Sequence, residues 1–121
     1  MIKVVMCVRR NPDVEEAEFH RYWREEHGPL VKSLAEATGA LRYVQSHTIA
    51  PERNAGMRRG RGCAEGYDGI AEVWFESLEA VAERFRSEEA RAADRAMAQD
   101  EAGFIDLATS CVFFTEEVEV F

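Results

Sequence analysis

Alternation of apolar and polar residues predicts four β-strands along the chain. Successive side chains of a strand point to opposite faces, so a period of two over several residues is typical of strands. This period occurs over residues 2–8, 41–50, 68–75 and 110–118. One face of the third strand is wholly apolar or glycine and should pack beneath helices; it comprises Gly69, Ala71, Val73 and Phe75. Its opposite face would carry Asp68, Ile70, Glu72 and Trp74.

A second periodicity, with apolar residues three and four positions apart, predicts a helical region after the first strand. This helix should begin after Asp13, which we expect to be its N-cap, and continue to about Glu26. The face that it would present to the core comprises Phe19, Tyr22, Trp23, Glu26 and His27. Gly28 and Pro29 interrupt the regular pattern, after which helical spacing resumes and ends at Gly39, a good C′ residue.

A further helical region follows the third strand. Ser77 and Ser87 are suitable N-caps for its two parts, and the second part should end near Gln99. The elements therefore follow the order strand, helix, strand, strand, helix, strand. This order predicts a ferredoxin-like βαββαβ fold of the α+β class, in which a four-stranded antiparallel sheet carries helices on one face. A chain of 121 residues fits one such domain, spanning residues 1–121.

The helix-free face of this sheet would be too apolar to leave in water and too polar for an ordinary core. Pairing two such faces in a homodimer would enclose a cavity between them. We expect the ring-bearing face of the second strand to line this cavity beside Trp74, and it comprises Tyr43, Gln45 and His47. The alternative for the second strand is an edge position with one solvated face.

Carboxylate and imidazole groups on such an enclosed face would suit acid–base chemistry. A carboxylate against an indole in a poorly solvated pocket has a raised pKa, which favours proton transfer near neutral pH. The candidate catalytic residues are therefore His47, Glu72, His27, Tyr43 and Asp68, and the candidate substrate-binding residues are Trp74, Trp23, Gln45, Ile70 and Arg59. Two roles are open to His27, which could act on a substrate or brace the helix break. A solvent-facing Glu72 is the alternative to a catalytic one.

Residues 51–66 interrupt all periodicity with four glycines, and they carry four arginines against two glutamates. We expect a loop without regular structure, which would be either a lid over the cavity or a mobile surface segment. As a lid, the loop would bring positive charge, including that of Arg59, towards an anionic or phenolate substrate.

Charge and cysteine content narrow the class of protein. The net charge is −8, and clustered positive charge is needed for nucleic acids and anionic membranes, so neither is an expected partner. No apolar run approaches the roughly 20 residues of a membrane span. Three cysteines without a CxxC pair favour a reduced, cytoplasmic protein. Phosphate-binding glycine motifs and metal-ligand spacings are missing from the sequence, so we expect neither a cofactor nor a metal.

Several segments of the chain resemble the EthD family of dimeric α+β-barrel proteins. They are FHRYW at 19–23, HGPLV at 27–31, YVQSH at 43–47 and YDGIAEVWF at 67–75. The opening MIK and the segment FID at 104–106 are also similar, so the resemblance covers nearly the whole chain. Three features depart from the family pattern: Asp13-Val14 replaces a commoner Ser-Pro, Ser46 replaces a frequent Asn, and the segment 51–66 is longer than usual.

The resemblance implies a dimeric α+β barrel, and it implies more about fold than about reaction. The superfamily includes lactone isomerases, cofactor-free monooxygenases of polyketide anthrones, polyketide dehydratases and decarboxylases, and haem enzymes. Together with the side chains above, it favours a cofactor-independent dehydratase, cyclase or isomerase acting on a small aromatic, polyketide-like or lactone substrate. The alternatives are a cofactor-free monooxygenase of a phenolic or anthrone substrate and a non-catalytic ligand-binding dimer.

Overall fold

The computed structural model describes residues 1–121 and is built on a four-stranded antiparallel sheet with the strand order β2-β3-β1-β4. The strands are β1 (Ile2–Val8), β2 (Arg42–His47), β3 (Gly69–Phe75) and β4 (Cys111–Thr115). Each lies within a segment for which a period of two predicted a strand. The predicted α+β ferredoxin-like fold is therefore confirmed.

The segment between β1 and β2 forms one long helical region that contains a wide turn. It consists of α1 (Glu16–Tyr22), a π-helical turn (Trp23–His27), α2 (Gly28–Ser33) and α3 (Ala35–Thr38). Gly39 ends the region with a φ of 79°, as expected of a C′ glycine. The prediction of Asp13 as the N-cap is wrong. Glu15 directly precedes α1, and its side chain makes no capping hydrogen bond. The backbone N–H of Asp13 instead donates to Asn11 Oδ1 at 2.9 Å in the preceding turn.

Residues 51–61 form a helix, α4 (Pro51–Arg61), where the sequence indicated an irregular loop. Pro51 lies in the first turn, where its missing N–H leaves no hydrogen bond unmade. The helix contains four arginines, which are good helix formers and offset its two glycines. None of its residues is buried. The expectation of a loop without regular structure is therefore wrong for residues 51–61.

Two helices follow β3, namely α5 (Leu78–Arg84) and α6 (Glu88–Phe104). Ser77 and Ser87 cap them as predicted, and their hydroxyl oxygens accept hydrogen bonds of 3.0 and 3.1 Å from backbone N–H groups in the first turns. Helix α6 extends beyond the predicted end near Gln99. A short 3₁₀ turn (Leu107–Thr109) then leads to β4. No helix of the protein combines the length and the apolar character needed to span a membrane.

The apolar face of β3 packs beneath the helices, as predicted. Ala71 is buried, and the register of β1 against β3 places Met6 directly opposite it. Because directly opposite residues of antiparallel strands project to the same face, Met6 also points towards the helices. Val4 and Val8 lie two residues to either side of Met6 and complete the helix-covered face of β1.

The strand β2 is oriented the other way from our expectation. Gln45 lies opposite Ala71 in the register, so it faces the helices. Tyr43 and His47 lie two residues to either side and face the helices as well, whereas Glu72 points to the helix-free side. The prediction that these side chains share one enclosed face with Glu72 is therefore wrong. Both faces of β2 carry polar residues, so alternation alone did not decide its orientation.

The core between sheet and helices is built around two aromatic residues of the first helical region. Phe19 and Trp23 have ring centroids 5.5 Å apart and are almost completely buried. They pack with Val8 of the sheet and with Phe104 at the end of α6. This packing draws the π-helical turn and the end of α6 together above the sheet.

Gly69 allows the indole ring of Trp23 to lie directly on β3. A Cβ atom at this position would lie 2.4 Å from Trp23 Cζ3 and 2.6 Å from the carbonyl oxygen of Ser46. Only glycine fits without movement of the indole or the neighbouring strand. The close approach fixes Trp23, which is the first residue of the turn that leads to His27.

Candidate functional site

A cavity of about 350 Å³ lies between the helix-covered face of the sheet and the helices. Its walls are mostly apolar, and the sheet contributes Val4, Met6, Val8, Tyr43, Ala71, Val73, Phe75, Val112 and Phe114. The helical regions add the polar side chains of His27, Thr38, Asp94 and Glu101. An apolar cavity with a few converging polar groups is typical of small-molecule sites. The cavity therefore lies on the opposite side of the sheet from the face that the sequence indicated.

His27 is buried in the wall of this cavity and is held by a carboxylate. Only 3% of its surface is exposed, and its Nδ1 lies 2.7 Å from Asp100 Oδ2. The other oxygen of Asp100 accepts a hydrogen bond from the Tyr22 hydroxyl group. Because a carboxylate can only accept, His27 donates through Nδ1–H and leaves the lone pair of Nε2 available. Asp100 thus fixes both the tautomer and the orientation of the imidazole.

Glu101 lies beside His27 and has an unusual carboxyl group. Burial, followed by the nearby charges of Asp94 and Asp100, raises the pKa of Glu101 from 4.5 to about 7. Its Oε2 atom is 3.7 Å from His27 Nε2, which is too long for a hydrogen bond. A carboxyl group with a pKa near 7 is present in both protonation states at neutral pH and can give or take a proton.

Tyr43 lines the cavity, and two hydrogen bonds hold its hydroxyl group in a fixed position. Its Oη accepts hydrogen bonds of 3.2 Å from Trp23 Nε1 and of 3.2 Å from Gln45 Nε2. The amide of Gln45 cannot be reversed, because the same Nε2 donates to the Trp23 carbonyl oxygen at 2.7 Å. Since Tyr43 Oη accepts both bonds, its own hydrogen is free to be donated to a bound molecule. Burial raises the pKa of Tyr43 and keeps this hydroxyl protonated near neutral pH.

The π-helical turn gives the Trp23 carbonyl oxygen two donors. It accepts from the backbone N–H of Gly28, five residues on, and from the side chain of Gln45. A π-turn inside an α-helix is rare and frequently lies at a functional site. Here the Trp23 carbonyl oxygen links β2, through Gln45, to the turn that carries His27.

His47 supports this network without lining the cavity. Its ring lies 4.4 Å from that of Trp23, and its Nε2–H donates to Gln45 Oε1 at 2.8 Å. Its Nδ1 is 2.7 Å from His20 Nδ1, which therefore supplies the hydrogen. Burial, followed by the charges of His20 and Arg24, lowers the pKa of His47 and favours its neutral form. His47 thus acts on the site through Gln45.

Glu72 and Trp74 belong to a charged cluster on the helix-free face. Glu72 Oε2 lies 2.5 Å from Lys3 Nζ. The Trp74 indole N–H donates to Glu117 Oε1 at 2.6 Å, and the guanidinium of Arg42 lies 4.6 Å from the centre of the Trp74 ring. Neither Glu72 nor Trp74 reaches the cavity, because the backbone of β3 separates them from it.

Three further residues predicted for the site also lie elsewhere. Asp68 Oδ2 accepts a hydrogen bond of 2.8 Å from the backbone N–H of Arg10, which is a contact at the strand end. Ile70 is on the helix-free face and is 38% exposed. Arg59 is exposed on α4. The structure therefore brings His27, Tyr43, Trp23 and Gln45 together and leaves these three residues apart from them.

Asp100 and Glu101 are absent from the residues predicted for the site, because the sequence indicated a helix end near Gln99. A signal for Glu101 exists in the sequence. Glu101 occupies one position of an apolar helical stripe that otherwise comprises Ala90, Ala93, Met97 and Phe104. A carboxylate at a core position is costly unless it is paired or neutralised, so such a position marks a candidate site.

The assembled site offers three kinds of proton chemistry. His27 Nε2 can accept a proton, Glu101 can donate or accept one, and the Tyr43 hydroxyl can donate a hydrogen bond to an oxygen. The apolar walls lower the local dielectric and strengthen each of these interactions. No group of three or more His, Cys, Asp or Glu side chains is arranged to hold a metal ion.

Comparison with protein families identifies the class of this chain. A family model described as the EthD domain matches residues 11–108, which is most of the chain. The chain belongs to the EthD family, and the resemblance in the sequence is confirmed. Among curated proteins, none matches the chain in sequence.

Solved structures share the fold at low sequence identity. An EthD family protein from Bacillus halodurans is 15% identical over 98% of this chain and 99% of that chain, with a TM-score of 0.63. An EthD-like protein from Ralstonia eutropha is 12% identical over 99% of this chain and 95% of that chain, with a TM-score of 0.58. SnoaB from Streptomyces nogalater, described as a cofactor-independent oxygenase, is 10% identical over 98% of this chain and 95% of that chain, with a TM-score of 0.54.

Proposed function

We propose that this protein is an enzyme that transfers protons on a small, largely apolar molecule bound in the cavity. The observation that carries the proposal is the pair formed by Glu101, with a pKa of about 7, and His27 Nε2 at 3.7 Å. Titrating groups with strongly perturbed pKa values in a cavity are characteristic of catalytic sites. The proposed chemistry is acid–base catalysis by protein side chains.

In the proposed reaction, His27 Nε2 removes a proton from a carbon next to a carbonyl group. The Asp100 carboxylate stabilises the imidazolium that forms, through its hydrogen bond to Nδ1. Tyr43 donates a hydrogen bond to the carbonyl oxygen, on which negative charge develops. Protonated Glu101 then delivers its proton to a departing hydroxyl group, to the oxygen of a second carbonyl group whose carbon the enolate attacks, or to a different carbon. Dehydration follows in the first case, cyclisation in the second and isomerisation in the third.

The proposed substrate is a neutral aromatic, polyketide-like or lactone molecule. A cavity of about 350 Å³ with mostly apolar walls suits a compound of this kind. Asp94 is also part of the lining, so a bound anion would be repelled by nearby negative charge. This favours a carbonyl compound that becomes an enolate only after His27 has taken its proton.

We also propose that the protein is a homodimer. Several large apolar side chains of β4 and of the tail that follows are exposed, namely Phe113, Val118, Val120 and Phe121. Exposed apolar groups in one region are typical of an interface, and a second copy would cover them. Light scattering should give twice the mass of the chain, and the mass of a single chain would contradict the proposal.

A second candidate function is cofactor-free oxygenation of a phenolic or anthrone substrate. It is favoured by the buried base His27 in an apolar cavity, because such a reaction begins with ionisation of the substrate. SnoaB has a similar fold and is described as a cofactor-independent oxygenase. Consumption of oxygen in proportion to product would select this function over dehydration or isomerisation.

The proposed function can be tested with a panel of anthrones, β-polyketones and hydroxylactones, with products identified by mass spectrometry. For any substrate that is converted, Glu101→Gln should lower kcat by about 10²–10⁴-fold. The pH profile should also lose an ionisation near pH 7, the pKa of Glu101. Glu72→Gln is the matched control, since Glu72 lies on the opposite face of the sheet, and it should retain activity.

Two outcomes would contradict the proposal. Full activity in Glu101→Gln would remove the proposed acid, and loss of activity only in Glu72→Gln would move the site to the helix-free face. Saturable binding of panel compounds without conversion of any of them would favour a non-catalytic ligand-binding protein.

A further inference from the structure

The cavity opens to solvent at one edge of the sheet. Most of its lining residues are buried or half-buried, whereas Val112 and Phe114 of β4 are 62% and 54% exposed. Asp94 of α6 is the only other exposed residue of the lining. The opening therefore lies between α6 and β4, which is an outermost strand of the sheet. Phe113, which we assign to the dimer interface, points to the other side of β4.

A row of side chains across the sheet joins Tyr43 to this opening. The register pairs Tyr43 of β2 with Val73 of β3. Val73 is paired with Val4 of β1, which in turn is paired with Phe114 of β4. Directly opposite residues project to the same face, and all four residues line the cavity. Neighbouring strands are about 4.8 Å apart, so the three steps from β2 to β4 span about 14 Å.

The polar groups proposed for the reaction lie at the far end of the cavity from this opening. Tyr43 accepts a hydrogen bond from Trp23, the first residue of the turn that ends at His27. Glu101 is beside His27, and Asp94 at the opening lies two helical turns before Glu101, about 10 Å away along α6. A molecule whose carbonyl group is bound at Tyr43 can therefore extend along the row towards Phe114.

We propose that the substrate carries an alkyl tail, which leaves the cavity between α6 and β4 and covers Val112 and Phe114. This inference rests on the proposed function, because it takes the reacting carbonyl group to be bound at Tyr43. The tail would remove apolar surface of both side chains from water, which favours binding. The Asp94 carboxylate at the opening repels negative charge, so the tail ends in a neutral group. The substrate class is thus a neutral ketone or lactone with a long alkyl chain.

Homologous γ-lactones, from γ-valerolactone to γ-dodecalactone, test the proposal by titration calorimetry on the full chain. They differ only in the length of the alkyl chain beside one carbonyl group. Each added CH₂ group should lower Kd by about two- to fourfold, and the decrease should continue to the longest members. Phe114→Ser should raise the Kd of γ-dodecalactone by about tenfold and that of γ-valerolactone by less than about twofold. Met57→Ser is the matched control, since Met57 is 58% exposed on α4 outside the cavity, and it should bind the whole series like the wild type.

Several results would overturn the proposal. A Kd that stops falling after the shortest lactones would show that the cavity accepts only compact ligands, and no binding of any lactone would also refute the tail site. An equal gain with chain length in Phe114→Ser and the wild type would place the tail elsewhere. Should Phe114→Ser fail to fold, Val112→Thr keeps the shape of the side chain and provides the same comparison. Dissociation of the dimer in Phe114→Ser, with every Kd unchanged, would assign this surface to a second copy of the chain.

The tail site and the proposed function can fail separately. Glu101→Gln should show the same dependence of Kd on chain length as the wild type, because Glu101 lies away from the opening. Binding that strengthens with chain length, without conversion of any substrate in the panel, would contradict the proposed function and support the tail site. Conversion of a compact substrate, together with a Kd that does not depend on chain length, would support the proposed function and contradict the tail site.

Discussion

Replacing Glu101 with glutamine should stabilise the fold at neutral and alkaline pH. Glutamine has nearly the size of glutamic acid but carries no titrating proton. The pKa of Glu101 is about 7 in the folded protein, against 4.5 as the ordinary value, mainly because burial disfavours the carboxylate. At neutral and alkaline pH, the folded wild-type protein must therefore carry an ionised carboxyl group in an unfavourable environment. The variant has no ionisable group at this position.

Proton binding to Glu101 sets the direction and size of the effect. Between pH 4.5 and about 7, the folded state keeps a proton that the unfolded chain has released, so the free energy of unfolding falls as the pH rises. At about 1.36 kcal/mol for each pH unit, the wild-type protein loses about 3 kcal/mol by the upper end of this range. Below pH 4.5 both states hold the proton, and Glu101 causes no loss.

Urea denaturation of the wild type and of Glu101→Gln, at the same protein concentration and from about pH 5 to about pH 9, measures this difference. Glu101→Gln should be only slightly more stable than the wild type at the acidic end and about 3 kcal/mol more stable above about pH 8. Glu89→Gln, at an exposed position of the same helix, should differ from the wild type by no more than about 0.5 kcal/mol. Equal stability of Glu101→Gln and the wild type at alkaline pH would refute the reasoning.

Two further substitutions test contacts around the cavity. Gly69→Ala should destabilise the protein by about 1–3 kcal/mol, because the new Cβ would overlap Trp23 and the Ser46 carbonyl oxygen. Urea denaturation measures this loss, and a stability equal to that of the wild type would mean that the indole can move aside. Asp100→Asn should lower the pKa of Tyr22 from about 12 towards 10.0, because the hydrogen bond to Asp100 is the main cause of the raised value. Ultraviolet titration measures this change, Tyr22→Phe assigns the signal, and an unchanged titration would contradict the contact.

The fold is predictable from the sequence because most of its elements have one apolar face. In β3 every second residue from Gly69 to Phe75 is apolar or glycine, so its buried side is unambiguous. Ser77 and Ser87 act locally on the helix turns that follow them, and local chemistry can be read from local sequence. Helix α4 has no buried face, so no apolar period distinguishes it from a loop.

The site is only partly predictable, for two physical reasons. Polar residues occur on both faces of β2, so the side on which Tyr43 lies depends on pairing with β3 rather than on alternation. The partner of His27 is Asp100, and their contact is produced by packing of the first helical region against α6. No local pattern contains that contact. Glu101 is different, because its place in an apolar stripe is visible once α6 is extended to Phe104.

The π-helical turn also controls the rotational phase of the first helical region. Phe19, Trp23, His27 and Val31 are all buried, and each is four residues from the next. On a regular α-helix, four residues exceed one turn by about 40°. After three such steps, Val31 would lie about 120° around the helix axis from Phe19. A wide turn advances less per residue and removes part of this drift. The turn therefore helps to keep His27 and Val31 on the same buried side of the helical region as Phe19 and Trp23.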